Sequence, residues 1–393
     1  MSSDIERIAI STGGGDAPGL NAVIRAATLA ARNRGWDVVG IRDGFNGLLN
    51  PDQYSRGGVV RLSRESVRGI VHEGGTILGT TNRGNPTAYP VQQADGTWTE
   101  VDRTEELVGR FADHGIDALI TVGGDGSMAI ADRLARAGLR LVGVPKTIDN
   151  DLDKTTSTFG FDTAVSFASD CIDRLFSTAS SHGRVLVVEV MGRYAGWIAL
   201  SAGVASGAHA ILIPEIPFDL ESVAATIAQR DRRGARFSMV VVAEGAAPRG
   251  GAVSVRGKAV GQAERLGGIG EVVARGLEQL TGKEARTVVL GHLLRGGRPT
   301  AFDRLLGLRF GAAAVRALAD GETGVMVALD PPNVYYVALA EATSRMKTVP
   351  LDCDTILTAR DMGVSFGDAL PQPDDPASWG TPSTHWEEIR SEP

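Results

Sequence analysis

Acidic residues follow two apolar runs of this chain, and carboxylates in such positions can hold a cation or accept a proton. The first acid is Asp125, which stands between glycines in "ALITVGGDGSMAI" (118–130). The second run leads into "KTIDNDLDK" (146–154), where Asp149, Asp151 and Asp153 occupy alternate positions. In an extended segment Asp149 and Asp151 share one face, so one can be a general base while the other serves a metal ion. A helix-capping aspartate at 125 and a solvated acidic turn at 149–153 are the alternatives.

Glycines follow another apolar run in "STGGGDAPGLNAVIR" (11–25). They lead from a predicted strand into a predicted helix, whose N-terminal N–H groups can bind an anion. The spacing matches neither the dinucleotide fingerprint nor the P-loop. The pattern therefore favours a phosphate site over a plain tight turn without identifying its class.

Basic residues follow two further runs and suit a sugar phosphate. In "VEVMGRYAG" (188–196), Arg193 opens a predicted helix and offers a guanidinium fork for phosphate oxygens. In "ARTVVLGHLLRGGRP" (285–299), His292 and Arg295 follow a predicted strand that carries Arg286 near its start. A surface arginine and a structural histidine are the alternatives for these positions.

The elements that must position these residues alternate between strands and helices. Apolar runs such as "RIAIST", "ALITV" and "RVLVVEV" each precede a segment with apolar residues at helical spacing. Strands that are apolar on both faces predict parallel sheets covered by helices, and the repeated units suggest one sheet in each of two lobes. Ligands of such sheets bind at the carboxyl ends of the strands, where the glycines and acids fall. Residues 88–102 predict a surface hairpin, and the segment after Gly367 a loosely ordered tail.

Composition excludes several classes of protein. The chain has 393 residues, 43% of them hydrophobic, with 40 basic and 47 acidic residues and a formal net charge of −7. This balance gives no basic field for nucleic acid, and no apolar run approaches the length of a membrane helix. Two cysteines without metal-ligand spacing and an N-terminus without a signal-peptide pattern predict a cytoplasmic protein.

Ordered motifs carry a resemblance to one family. From about Ile8 to about Leu339 the chain contains "GGDAPGLNAVIR", "GGTILGT", "GGDGS", "KTIDND", "SSHGR", "VEVMGRYAG", "VVAEG" and "RTVVLGHLLRGG". In this it resembles the 6-phosphofructokinases. The resemblance implies the phosphofructokinase fold, an α/β architecture of two Rossmann-like lobes with parallel-rich sheets flanked by helices. It also implies the committed step of glycolysis, in which fructose 6-phosphate is phosphorylated on its 1-hydroxyl to the 1,6-bisphosphate.

The resemblance also implies roles for individual residues. Asp149 corresponds to the catalytic base and Asp125 to the Mg²⁺ ligand, while Gly15 and Arg193 correspond to positions at the transferred phosphoryl group. The implied donor site comprises Gly15, Arg83, Gly124, Asp125, Gly126, Ser127 and Lys146. The implied sugar-phosphate site comprises Thr147, Asp149, Asp151, Arg184, Met191, Gly192, Arg193, Glu244, Arg286, His292 and Arg295. Asn82 is an alternative to Arg83.

Domains and assembly follow from the same resemblance. Residues 1–160 with 294–345 are expected to bind ATP and Mg²⁺, residues 161–293 fructose 6-phosphate, and residues 346–393 to form a C-terminal extension. Arg184 and Arg286 correspond to arginines that reach the site of a neighbouring subunit, which implies a homo-oligomer, either a dimer or a tetramer. Arg25 matches an effector-site arginine, but His209 stands where an acid is expected, so the effectors stay open.

Two positions bear on the phosphoryl donor, and they disagree. Pyrophosphate-dependent members usually carry aspartate where this chain has Gly126, and that acid excludes the α-phosphate of ATP by charge and bulk. Lys146, by contrast, is typical of pyrophosphate-dependent members. We predict an ATP-dependent enzyme, because exclusion at position 126 is the more decisive effect; a pyrophosphate-dependent, reversible enzyme is the alternative.

Two other classes fit the sequence less well. A non-catalytic regulatory subunit is expected to lack the base or the metal acid, whereas Asp125, Asp149 and Asp151 are all present. Lipid and nicotinamide-nucleotide kinases share the Gly-Gly-Asp-Gly motif, but they lack motifs that correspond to "MGR" and "GHLLRGG". The sequence leaves open whether other sugar phosphates, such as sedoheptulose 7-phosphate, are accepted.

Overall fold

The computed structural model of the chain describes residues 5–257 and 265–372. The predicted tail after Gly367 therefore lies outside the described residues from position 373 onward. The strands in the described residues are β1 (Arg7–Thr12), β2 (Asp37–Ile41), β3 (Val59–Arg61), β4 (Tyr89–Gln92), β5 (Trp98–Val101), β6 (Ala118–Gly123), β7 (Leu141–Thr147), β8 (Phe159–Gly160), β9 (Val185–Val190), β10 (Ala210–Leu212), β11 (Ser238–Ala243), β12 (Val255–Gly257), β13 (Arg265–Leu266), β14 (Ala285–Val289), β15 (Val325–Asp330) and β16 (Asn333–Ala338).

Helices alternate with these strands along most of the chain, which confirms the predicted α/β class. They are α1 (Leu20–Asn33), α2 (Asn46–Leu49), α3 (Thr104–Asp113), α4 (Asp125–Arg136), α5 (Phe161–His182), α6 (Trp197–Ala205), α7 (Leu220–Arg232), α8 (Ile269–Thr281), α9 (Ala301–Ala319), α10 (Leu339–Ala342) and α11 (Asp354–Asp361). Among the described residues, no helix has both the length and the apolar character needed to cross a membrane.

The chain divides into two compact units. The first contains the described residues within Met1–Phe167, Gly257–Arg265 and His292–Thr348. The second contains those within Ala168–Arg256, Leu266–Gly291 and Val349–Pro393. Which unit takes which substrate stays a prediction.

The first unit is built on an eight-stranded sheet in the order β16-β15-β7-β6-β1-β2-β3, with β8 paired to β7. Its central strands are parallel, and only the outer strands β3 and β16 pair antiparallel with their neighbours. The register places Thr12 of β1 beside Val122 of β6, and Gly123 of β6 beside Pro145 of β7. The glycine, Gly-Gly-Asp-Gly and acidic segments therefore leave neighbouring strands at one edge, as the sequence predicts.

The second unit contains a fully parallel sheet in the order β10-β11-β9-β14. The central strands β9 and β11 are buried along their whole length. Register pairs Val190 with Ala243, and Glu189 with Val289, so the segments that follow these strands also begin at one edge. The predicted surface hairpin is present as the antiparallel pair of β4 and β5.

Three local predictions need correction. Helix α1 begins at Leu20, so the N–H groups of Gly13–Gly15 belong to a preceding loop and not to its N-terminus. Helix α6 begins at Trp197, so Arg193 lies in a loop and does not open a helix. The segment from Asp149 to Asp151 is not extended, because Asn150 between them has a φ of 52°.

Candidate active site

The glycine loop after β1 is fixed by its neighbours in the first unit. The Gly13 N–H donates to the Val122 carbonyl at 2.9 Å, and the hydroxyl of Thr80 donates to the Gly14 carbonyl at 2.6 Å. Gly14 has a φ of 77°, which a residue with a Cβ rarely adopts. The loop is thus fixed beside the carboxyl ends of β1 and β6, with the N–H groups of Gly13 and Gly14 both bonded to carbonyls of the chain.

Helix α4 begins at the next strand end, directly at Asp125. A Cβ at Gly124 would lie 3.3 Å from the Lys146 carbonyl, so glycine lets this turn approach the end of β7. A Cβ at Gly14 would lie 3.7 Å from Oγ of Ser127, which places the first turn of α4 against the glycine loop. The N-terminus of α4, with its free N–H groups and partial positive charge, therefore borders this loop.

Lys146 lies on β7 and is buried, with 3% of its surface exposed. Its Nζ donates a hydrogen bond to the Gly15 carbonyl. Burial lowers the pKa of Lys146 to about 8, and Arg295 acts in the same direction, while Asp16, Asp149 and Asp151 oppose the shift. The side chain therefore carries a largely desolvated positive charge between the glycine loop and the acidic segment.

Arg295 is a second cation that contacts the loop next to Gly15. Its Nη1 donates to the Asp16 carbonyl at 3.2 Å, and a Cβ at Gly15 would lie 2.8 Å from the same nitrogen. Any side chain at Gly15 would have to displace the guanidinium. Glycine at this position thus brings the loop backbone within reach of two cations, Lys146 and Arg295.

The acidic segment follows β7 directly. The Asp149 N–H donates to Oγ1 of Thr147 at 3.1 Å, and Asn150 reverses the backbone with its positive φ of 52°. Lys146 interacts electrostatically with both Asp149 and Asp151. The two aspartates are thus held near one ammonium group by a turn, and not by the extended geometry that the sequence suggested.

The carboxylates of Asp125 and Asp151 interact with one another. Burial raises the pKa of Asp125, and the charge of Asp151 raises it further. Burial also raises the pKa of Asp151, against the hydrogen bond from Thr147 and the charges of Lys146 and Lys347. Oδ1 of Asp151 is buried and has no hydrogen-bond partner among the described residues. Two desolvated carboxylates, one with such an oxygen, fit a divalent cation, which would relieve their mutual repulsion.

No group of three or more His, Cys, Asp or Glu side chains in the described part of the chain is arranged to hold a metal. Mg²⁺ does not need such a cage, because it is usually bound by one or two carboxylates together with substrate phosphates. Asp153, the third acid of the motif, does not join the pair. It is buried and bonds Nε of Arg345 at 2.7 Å.

In the second unit, the predicted intersubunit arginines share one acid. Arg184 and Arg286 each form a salt bridge with the carboxylate of Glu284. Arg184 is partly buried, whereas Arg286 remains exposed, with 56% of its side-chain surface accessible. Glu284 thus brings two like-charged side chains together, and no motif in the sequence singled it out.

The Met191–Arg193 segment follows β9 in the second unit and lies against the end of β11. Gly192 has a φ of 145°, and a Cβ at Gly245 would lie 1.9 Å from the Arg193 carbonyl. The Glu244 N–H donates to the Val190 carbonyl at 2.9 Å. Nε of Arg193 is buried and unpartnered within the described residues, while its Cζ lies 4.9 Å from the Tyr194 ring centroid. Met191, Gly192, Arg193 and Glu244 are thus neighbours.

Two predicted residues are more exposed. Arg83 lies in the loop after Thr81, whose hydroxyl accepts its N–H at 2.9 Å. His292 is exposed in a short 3₁₀ helix that runs over Gly291–Arg295. The structure also brings Thr80, Asn150 and Lys347 to the site region of the first unit. Asn150 lies inside a recognised motif, but Lys347 has no local sequence signal.

Comparisons with known proteins match the chain to one family of sugar-phosphate enzymes. The family model described as phosphofructokinase matches residues 7–318. An ATP-dependent 6-phosphofructokinase of Chloroflexus aurantiacus is 51% identical over 370 residues, which cover 94% of this chain and 100% of the relative. A pyrophosphate–fructose 6-phosphate 1-phosphotransferase of Amycolatopsis mediterranei is 49% identical over 351 residues, which cover 88% and 97%. Phosphofructokinase from Saccharomyces cerevisiae matches with a TM-score of 0.73 at 29% identity, over 92% of this chain and 48% of the yeast chain.

Proposed function

Because this chain belongs to the phosphofructokinase family, we propose that it transfers a phosphoryl group from ATP to the 1-hydroxyl of fructose 6-phosphate. The observation that carries this proposal is the set of charges around the glycine loop. Lys146 contacts that loop at Gly15 and Arg295 contacts it at Asp16, while the acids Asp125, Asp149 and Asp151 lie nearby. Phosphoryl transfer needs cations and amides for the phosphates, a metal ligand, and a base.

Asp149 is proposed as the base that accepts the proton of the sugar hydroxyl. As that proton leaves, the oxygen bonds to the terminal phosphorus of ATP and the bond from phosphorus to the ADP oxygen breaks. Lys146 and Arg295 balance the negative charge of the phosphates, while the Gly15 backbone and Arg193 contribute at the transferred group. Asp125, with Asp151 beside it, would hold Mg²⁺, which when bound neutralises phosphate charge.

The residues proposed as ligands of the sugar phosphate are Met191, Gly192, Arg193, Glu244, Thr147, His292 and Arg295. We propose that the enzyme is a homo-oligomer in which Arg184 and Arg286 serve a neighbouring subunit. The salt bridges of both arginines to Glu284 hold them close together, so that the two side chains can meet one anion.

The donor is the point on which the relatives differ, since ATP- and pyrophosphate-dependent names occur at 51% and 49% identity. Gly126 supports ATP. It is exposed, it lacks a positive φ, and a Cβ added there would meet nothing within 4 Å. Neither packing nor backbone conformation requires glycine at this position, so the free space next to Asp125 and Ser127 is available to a donor phosphate.

Gly126→Asp tests the proposal with both donors. We expect kcat/KM with ATP-Mg to fall about 10- to 100-fold, because an added carboxylate repels the α-phosphate, while kcat/KM with pyrophosphate-Mg changes much less. Initial rates of fructose 1,6-bisphosphate formation with each donor measure both values. Gly109→Asp is the matched control, because Gly109 is also an exposed helical glycine whose Cβ would meet nothing within 4 Å. Equal losses with both donors, or a wild-type enzyme that works far better with pyrophosphate, would contradict the ATP assignment.

A further inference from the structure

A C-terminal segment of the first unit, Arg345–Lys347, lies along the loop that carries the two site aspartates. Leu152 and Met346 form an antiparallel bridge, and the Lys347 N–H donates to the Asp151 carbonyl at 2.8 Å. These backbone contacts bring the side chain of Lys347 to the rear of the loop. The segment thus supports a stretch of chain that has little regular secondary structure of its own.

The Lys347 ammonium group bonds three oxygens of this loop. Nζ donates to Oδ1 of Asn150 at 3.0 Å and to the carbonyls of Thr155 and Thr156, both at 2.9 Å. An ammonium group has three N–H donors, so these acceptors use its full capacity. Charge-assisted bonds of this kind are stronger than neutral ones. Lys347 therefore joins the two ends of the loop, at Asn150 and at Thr155–Thr156.

Asn150 is the residue whose conformation decides where both aspartates point. Its φ of 52° is unfavourable for most residues, and the backbone on either side of it carries Asp149 and Asp151. Oδ1 of Asn150 also accepts the Thr158 N–H at 3.1 Å. Two donors, from Lys347 and Thr158, thus fix the side chain of the residue at which the loop turns.

We propose that Lys347 is a positioning residue, which holds the Asp149–Asp151 turn in its catalytic geometry through Asn150. The inference rests on the proposed function, since it assigns Asp149 as the base. Lys347 makes its contacts on loop oxygens and needs no contact with the substrate. Its charge also acts on Asp151 and Asp153.

A variant of the neighbouring cation Arg345 distinguishes positioning by Lys347 from a general stabilisation of the Arg345–Lys347 segment. Arg345 bonds Asp153, and 74% of its side chain is exposed. Asp153 is buried, but it is two residues beyond the proposed catalytic pair, and the amide of a glutamine at position 345 can still donate to it. Arg345→Gln thus removes a cation from the same segment without touching Asn150, which makes it the matched control.

The test compares Lys347→Met with Arg345→Gln in the full chain. For Lys347→Met we expect kcat to fall about 10- to 100-fold, because small misplacements of a base are costly, with KM for both substrates within about threefold of the wild type. Arg345→Gln should keep the wild-type kcat. Amide hydrogen exchange at residues 148–156 should accelerate in Lys347→Met and not in the control. Asn150→Gly removes the acceptor of the Lys347 bond, while glycine still tolerates the positive φ. The double variant Asn150→Gly with Lys347→Met should therefore have about the same kcat as the more affected single variant, because both changes break the same contact.

The possible outcomes separate this inference from the proposed function. The positioning role is overturned if Lys347→Met keeps kcat within about twofold of the wild type. It is also overturned if the loss of activity is fully explained by the fraction of the variant that is unfolded. If the wild type transfers no phosphoryl group to fructose 6-phosphate from either donor, the proposed function fails, and the exchange of the loop amides then decides on Lys347 alone. If Lys347→Met does not fold, Lys347→Gln, which keeps a donor but loses the charge, is judged by the same criteria.

Discussion

At the scale of single residues, Asp303 is the most buried acid among the described residues of the first unit, and it lies outside the site. Asp303 is fully buried, and its Oδ2 accepts the Thr163 N–H at 2.8 Å and the Thr163 hydroxyl at 2.6 Å. Burial raises the pKa of Asp303 to about 6, although the bonds from Thr163 oppose the shift. The carboxyl joins the first turn of α9 to the first turn of α5.

This raised pKa predicts a pH-dependent stability. The folded chain binds the Asp303 proton more tightly than the unfolded chain, so Asp303 contributes stability at pH 4 that is lost as the pH rises towards 6. An amide does not titrate. The unfolding free energy of Asp303→Asn, relative to the wild type, should therefore increase by up to about 3 kcal/mol between pH 4 and pH 7. Urea unfolding of both proteins at the two pH values measures this; a difference that does not change with pH contradicts it.

The sequence predicts the chemistry of the site better than its support. Lys146 lies near the end of β7, and Asp125 and Asp149 lie in short motifs just after strands, so their positions at one sheet edge follow from the parallel topology. The contribution of Lys347 could not be predicted, because it depends on which distant segment packs behind the loop. The turn between Asp149 and Asp151 was also not predicted, since nothing in the sequence "IDND" requires Asn150 to take a positive φ.

At the scale of elements, α1 and α9 of the first unit pack at two glycines of α9. A Cβ at Gly311 would lie 2.5 Å from the Val23 carbonyl and 3.0 Å from Cβ of Ala26, and one at Gly307 would lie 3.0 Å from the Gly19 carbonyl. Glycine allows the two helix backbones to approach closely here. Because α1 follows the glycine loop, this contact also determines where the loop joins a rigid element.

Gly311→Ala should therefore destabilise the first unit in spite of the higher helix propensity of alanine. Overpacking of this kind costs about 1–3 kcal/mol, against a propensity gain of about 1 kcal/mol. Gly109→Ala in α3 is the control, since its added methyl meets open space and should stabilise by about 0.5–1 kcal/mol. Thermal unfolding of the two variants should shift the midpoint in opposite directions. A Gly311→Ala protein as stable as Gly109→Ala would show that the helices can separate without cost.

Element types followed from apolar periodicity, but two helix starts did not. The glycines before α1 and the Met191–Arg193 segment before α6 resemble helix entries, yet both helices begin several residues later. In the second case Gly192 has a φ of 145°, and Gly245 lets the loop lie against the end of β11. Such contacts between segments that are distant in sequence outweigh local propensity.

At the scale of the whole molecule, the proposed role of Arg184 and Arg286 in a neighbouring subunit predicts complementation. Asp149→Asn and Arg286→Ala should each be nearly inactive, the first for want of a base and the second for want of a phosphate ligand. In a mixed oligomer one site would carry both defects and another neither.

Co-expression of the two variants should therefore restore activity, to about a quarter of the wild-type value for randomly assembled dimers. Specific activity of the purified mixture, compared with each parent, measures the recovery. The corresponding mixture of Asp149→Asn with the donor-site variant Lys146→Met, both placed in the first unit, should recover nothing. A mixture no more active than its parents would mean that Arg286 serves its own subunit.

The bond from Lys347 to Asn150 joins residues that are 197 positions apart in the chain. A ribosome completes Asp149 and Asp151 long before it reaches Lys347, so the turn is synthesised well before the residue that is proposed to position it. All strands of the first unit's eight-stranded sheet end by Ala338, before the lysine emerges. A nascent or prematurely terminated chain can therefore contain every strand of that sheet and both aspartates while it still lacks the lysine that bonds Asn150 at the turn between them.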